Sequence, residues 1–169
     1  GHVERFNRAV RAALPFAESP RFIESNRLAP FNPRGSDVAV VLDLMIHDID
    51  LCLALAGSEV TDLSACGFRV LTQEIDIATA RIEFADGCVA NLSASRVSQA
   101  PVRKLRVFQP GLYVSADLQA GSLRYVSPVP GAIEEQEESY AGGDALASQA
   151  EAFVKAIQGA SAAGVDGDG

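Results

Sequence analysis

Residues 75–97 constrain the fold most. Two alternating runs flank Ala85-Asp86-Gly87, the clearest turn in the chain. A two-residue loop would set Ile82 opposite Asn91 and Arg81 opposite Leu92, mixing apolar and polar faces. A three-residue loop, with Gly87 in the left-handed conformation and a bulge, sorts them. Phe84, Ile82, Ala80 and Ala78 then face Cys88, Ala90, Leu92 and Ala94. Glu83, Arg81, Thr79 and Ile77 share the other face with Val89, Asn91, Ser93 and Ser95. A slip of one residue would turn every side chain to the wrong face, so the three-residue loop is predicted. The same register sets Asp76 opposite Arg96, at the end of the apolar face.

The rest of the chain is read around that hairpin. Further strands are expected at 21–29, 60–71, 105–108, 112–116 and 123–126, and the acidic run 134–138 as a solvated edge. Phe6, Val10 and Leu14, four apart, predict a helix over 8–16; Pro15 is awkward inside it and Pro20 ends it. Residues 30–35 form a loop rich in breakers. A long helix is predicted over 38–56, capped by Ser36 or Asp37 and ended by Gly57. Val38, Val41, Leu42, Met45, Ile46, Ile49 and Leu53 run nearly all round it, so burial on most sides is expected. A closing amphipathic helix spans 144–158, with Leu146, Ala150, Phe153, Val154 and Ile157 expected inward. Residues 159–169 read as a flexible, truncated linker.

A chain of 169 residues is about the size of one domain, enough for a core without staples. Its net charge of −8 and pI near 4.7 argue against nucleic acid or an anionic membrane as the main partner. A local arginine cluster can still receive an anionic small molecule. Cys52, Cys66 and Cys88 are odd in number and lack Cys-x-x-Cys spacing. They read as reduced thiols of a cytoplasmic protein. No signal-peptide pattern and no membrane-length apolar run is visible. Gly-x-Gly-x-x-Gly and Walker A sequences are absent, so the chain does not hold a dinucleotide by the usual strand-turn-helix fingerprint.

Within the apolar run 38–56 lies Asp43-Leu-Met-Ile-His47-Asp48-Ile-Asp50. On a helix, Asp43, His47 and Asp50 share one face, and buried ionisable groups are costly unless paired. Such a stripe lines a cleft, binds a ligand or pairs with groups elsewhere. His47 alone is equally a core histidine bonded to a backbone carbonyl, and Asp43 a structural partner for an arginine. Asp50 is expected to pair with Arg5 or Arg27, and Asp48 to lie on another face. A zinc or iron site would want a second histidine or a cysteine in the stripe, so no metal is expected. Arg5, Arg27 and Arg96 are candidate grips for a phosphorylated substrate, or ion-pair partners for Asp50, Asp76 or surface acids.

Gly1-His-Val-Glu-Arg-Phe-Asn7, Asp43-x-x-x-His47-Asp48-x-Asp50, Asp76-Ile-Ala, Phe84-Ala-Asp-Gly87 and Ala94-Ser-Arg96 resemble the C-terminal domain of the Gfo/Idh/MocA oxidoreductases. Arg8 departs from the proline that many relatives carry. The resemblance implies an α+β domain over 1–158, an open, mostly antiparallel sheet with helices packed on one face. This layout is like the glyceraldehyde-3-phosphate dehydrogenase C-terminal domain. It implies a preceding Rossmann domain, absent here, that binds NAD or NADP and carries the catalytic lysine. Gly1-His2 then marks a native domain junction, although it also reads as a tag remnant. His47 is implied as the general acid/base, with Asp43 orienting substrate or imidazole, and Arg5, Arg27, Arg96 and Asp50 as substrate contacts. The implied function is the substrate-binding half of an NAD(P)-dependent sugar dehydrogenase, with oxidation of a UDP-N-acetylhexosamine at C3 as one example. The alternatives are an inositol or free-sugar dehydrogenase or reductase, or a non-catalytic dimerisation or ligand-sensing module. The family's open sheet face mediates oligomerisation, a role open to Thr79, Arg81, Asn91 and Ser93. The isolated chain is expected to be inactive.

Overall fold

The computed structural model describes residues 2–140 and 142–158. It holds one sheet of eight strands: β1 (Phe22–Leu28), β2 (Val60–Phe68), β3 (Ile77–Phe84), β4 (Val89–Ser95), β5 (Val102–Gln109), β6 (Leu112–Asp117), β7 (Ser122–Val129) and β8 (Ala132–Ser139). Their order across the sheet is β2-β3-β4-β1-β5-β6-β7-β8. β1 runs parallel to β4 and every other neighbouring pair is antiparallel.

The β3–β4 hairpin has the predicted register: Ile77 pairs with Ser95, Ala80 with Leu92 and Glu83 with Val89. Gly87 takes φ +84°, and the Phe84 N–H donates to the Cys88 carbonyl at 2.9 Å. Ile82, Phe84, Cys88, Ala90, Leu92 and Ala94 are buried together, as sorting by face requires. The Arg96 N–H donates to the Asp76 carbonyl at 3.0 Å, so the ladder continues to the expected pair.

Helices cover one face. α1 (Arg8–Ala13) starts where Asn7 accepts from the Ala9 N–H, then tightens at Pro15 into a 3-10 turn, Leu14–Phe16. Ala9, Val10 and Ala13 of α1, with Met45, Leu51, Cys52 and Leu55 of the second helical segment, meet Ile23, Leu92, Leu105, Val107, Val114 and Leu123 from the sheet. Each large side chain so buried contributes about 1.5–3 kcal/mol. The edge strand β2 is exposed along its whole length. β8, outside the strand candidates, carries the acidic run as the opposite edge, also exposed throughout. Carboxylates on an edge discourage pairing with another sheet.

The helix expected over 38–56 is shorter and is not capped by Ser36 or Asp37. Residues 33–38 form turns, with the Ser36 N–H and hydroxyl both donating to the Pro33 carbonyl. The helical run opens at Val40 with a π-helical turn, Val41–Met45, and only then becomes α2 (Ile46–Ala56), ended by Gly57 at φ +58°. Arg96 holds the preceding loop by donating to the Gly35 and Val38 carbonyls. Both carbonyls are thus tied to the sheet, and regular helix begins only beyond them.

Two burial expectations are corrected. Val38 (38% exposed) before the helical run, Leu42 (64%) on the π-helical turn, and Ile46 (38%) and Leu53 (41%) on α2 lie uncovered. In α3 (Ala145–Ile157), capped by Asp144, Leu146, Phe153, Val154 and Ile157 are all exposed and none of its described residues is buried. α3 touches the rest of the chain at the 3-10 turn Val3–Phe6. Apolar periodicity marks a face that needs a partner, and the described residues do not supply one for these faces. The expected linker 159–169 lies outside the described residues.

Candidate active site

His47 is the second residue of α2 and is half-buried. The next residue, Asp48, points into the sheet toward Arg27. Alternation along β1 puts Arg27 on the core face with Ile23 and Ser25. A buried guanidinium in that row demands acid partners. Arg27 Nε donates to Asp48 Oδ2 at 2.8 Å and Nη2 to Oδ1 at 3.1 Å. Its Nη1 donates to Glu4 Oε1 at 2.8 Å. Arg103, half exposed, stands 3.9 Å from the same Glu4 oxygen. Burial pulls the Arg27 pKa down, but Asp48 and Glu4 outweigh it and hold it above the ordinary value.

A second fork lies three residues beyond His47. Arg5 Nε and Nη2 donate to Asp50 Oδ2 and Oδ1 at 2.7 and 2.8 Å, and His2 Nδ1 approaches Oδ1 at 3.4 Å. Asp48 and Asp50 are both buried. The 3-10 turn Val3–Phe6, which carries Glu4 and Arg5, is therefore riveted to α2 on both sides of His47. Glu4 was not singled out from the sequence. The signal was present, because Arg27 shares the inward row of β1 and one carboxylate does not use its whole fork.

Burial pushes the His47 pKa down, as do Arg27 and His2, against Glu4 and Asp48. The imidazole is thus biased toward its neutral form near pH 7. Its Nδ1 is buried and has no hydrogen-bond partner among the described residues.

The structure does not join the predicted stripe into one bonded group. No hydrogen bond links Asp43, His47 and Asp50 among the described residues. Asp43 sits on the π-helical turn, exposed, with its carboxylate beside Gly35. The wider turn displaces it from the position that α-helical spacing implies. Arg96 stands apart from this cluster. It is buried 3.7 Å from Asp76 and holds the loop before α2. Asp76 Oδ2 accepts from the Val70, Leu71 and Thr72 N–H groups at 2.8, 2.7 and 2.9 Å, and Oδ1 accepts from the Thr72 hydroxyl at 2.7 Å. Burial pushes the Asp76 carboxyl up, but these donors outweigh it and hold it well below the usual carboxylate range. Among the described residues, no three His, Cys, Asp or Glu side chains are arranged to hold a metal ion, and no helix is long and apolar enough to cross a membrane.

Comparison with known proteins puts this geometry in context. The chain is 40% identical over 164 residues to a UDP-N-acetylglucosamine 3-dehydrogenase of Acidithiobacillus ferrooxidans, covering 93% of this chain and 52% of that protein. It therefore spans about half the length of that curated relative. A solved structure of the same enzyme superposes with a TM-score of 0.88 at 39% identity, over 96% of this chain and 53% of the other. Levoglucosan dehydrogenase, solved with NADH and levoglucosan, superposes with a TM-score of 0.83 at 14% identity, over 96% of this chain and 57% of that one. At that identity the likeness shows the fold alone. Residues 8–109 match the GFO/IDH/MocA C-terminal domain, so the chain belongs to the GFO/IDH/MocA oxidoreductase family and supplies that domain.

Proposed function

We propose that this chain is the substrate-binding half of an NAD(P)-dependent dehydrogenase that oxidises a sugar hydroxyl, the substrate being a nucleotide sugar such as a UDP-N-acetylhexosamine oxidised at C3. The observation that carries this reading is the 40% identity to a UDP-N-acetylglucosamine 3-dehydrogenase over nearly the whole chain. His47 is the general base. A half-buried imidazole biased toward its neutral form, whose Nε2 is not among the enclosed atoms, is suited to take the hydroxyl proton as hydride leaves the same carbon. Asp43, exposed one turn earlier, orients the substrate.

Of the residues read as substrate contacts, Arg5 keeps an exposed edge beside Asp50, and the two border the site. Arg27 and Arg96 are enclosed and serve the framework. The chain matches a C-terminal domain and spans about half of its curated relative, which supports a dinucleotide held mainly by a preceding half of the protein. NAD or NADP, when bound there, supplies the hydride acceptor. The uncovered side of the helical run around Leu42 and Ile46 faces that half. The second sheet face, with Phe22, Phe108 and Tyr113 in tilted contact (5.5 and 4.9 Å between centroids), receives a second copy. The free cysteines suit a cytoplasmic protein.

The test is turnover by the full-length protein with NAD+ and NADP+ across UDP-N-acetylhexosamines, free sugars and inositol. Reduced-nicotinamide formation with the UDP sugars, and none from the isolated chain, is expected. Preference for a free sugar or inositol would move the substrate class. No turnover with any of them would leave a binding or assembly module.

A further inference from the structure

We infer that Arg27 and Glu4 are positioning residues: with Asp48 they form a buried rivet that fixes the rotation of α2, and hence where the His47 imidazole stands. The inference rests on reading His47 as the general base.

On an α-helix successive residues turn by about 100°. Asp48 therefore lies about 100° to one side of His47, and Asp50 about 60° to the other. Both carboxylates are gripped by two-nitrogen forks, Arg27 on Asp48 and Arg5 on Asp50, at 2.7–3.1 Å. Two anchors bracketing one residue fix the helix about its own axis, which a single contact does not. Apolar packing of Met45, Leu51 and Cys52 against the sheet seats the same helix, and the two forks add the directional contacts on either side of His47. The π-helical turn Val41–Met45 immediately precedes α2, and Leu42, Ile46 and Leu53 are uncovered. The opposite ends of both forks meet in the 3-10 turn Val3–Phe6, because Glu4 takes the third Arg27 nitrogen and Arg5 is its neighbour. α3 packs on that same turn. A shift of the turn or of α3 is thereby carried to His47 through Arg27 and Arg5.

The charges around His47 are balanced. Arg27 on β1, Glu4 on the 3-10 turn, Asp48 of its own helix and His2 just before the turn act on it; Arg5 and Asp50 pair with each other beside them, and Arg103 on β5 flanks Glu4. Loss of the Glu4 charge lowers the His47 pKa further, because Glu4 opposes the downward push of Arg27 and His2.

Two conservative variants of the full-length protein separate geometry from charge. R27K keeps the charge but replaces the planar fork by a single ammonium. E4Q keeps an acceptor for Arg27 but drops the charge. For R27K, kcat is expected to fall about 10- to 100-fold, as misplacement of a reacting group by about 1 Å does. KM should stay within about twofold, because no ground-state contact is removed. For E4Q, the acidic limb of the kcat profile is expected to move to lower pH. Melting curves establish that each variant is folded. Folded R27K with unchanged kcat and a raised KM would make Arg27 a substrate contact and overturn the inference. So would folded variants with kcat, KM and the pH limb all unchanged. An H47Q protein that turns over normally would instead remove the parent reading of His47, so the two failures are distinguishable.

Discussion

Among the described residues, two buried arginine–aspartate centres, Arg27–Asp48 and Arg96–Asp76, are built differently. Arg27 meets Asp48 in a direct fork and gives its remaining nitrogen to Glu4, so charge is answered by charge. Arg96 and Asp76 stand 3.7 Å apart and spend themselves mostly on backbone: the arginine on two carbonyls before α2, the aspartate on three N–H groups and a hydroxyl of the loop after β2. The first centre joins secondary-structure elements and the second builds loops. Breaking a buried ion pair strands a charge, whereas losing a donor to a carbonyl leaves a neutral acceptor short of a partner.

The contrast predicts a graded set of losses. Arg27→Met strands the buried Asp48 and leaves Glu4 with only the Asn7 amide and the more distant Arg103, and should cost about 3–5 kcal/mol in urea unfolding. Arg96→Met strands two carbonyls and should cost less, about 1–3 kcal/mol; an equal or larger loss would erase the distinction. The Asp76 carboxyl is held below its ordinary pKa, so its ionised form stabilises the fold above the unfolded value of about 4. That stability is lost as pH falls through the folded value, and Asp76→Asn should flatten the acid-side dependence of the melting temperature. Arg81 pairs with Glu83 on the exposed face at 3.1 Å, and Arg81→Ala should change stability by at most about 0.5 kcal/mol.

How much was legible follows the same physics. The β3–β4 register was readable because alternation on both strands admits one pairing, and Gly87 supplies the left-handed turn. The ion pair of Asp50 with Arg5 was one of two options named, and the structure selects it. The start of α2 was not readable. Its preceding loop is held by Arg96 from the far end of β4, and no local signal announces a π-helical turn. Glu4 was missed because its importance comes from Arg27, 23 residues away in sequence. The outward residues of α2 and α3 were read as core because periodicity reports that a face is apolar, not what covers it.

The central claim is that His47 takes the substrate proton. The most direct measurement is the pH dependence of kcat for the full-length protein and its H47Q variant with UDP-N-acetylglucosamine and the preferred nicotinamide cofactor. Because burial, Arg27 and His2 push the His47 pKa down, the wild-type rate should fall at acid pH with a midpoint below the ordinary histidine value of about 6.5. H47Q should lose that limb and about 10²–10⁴-fold in rate while remaining folded. A folded H47Q protein that keeps both the rate and the acid limb would contradict the account.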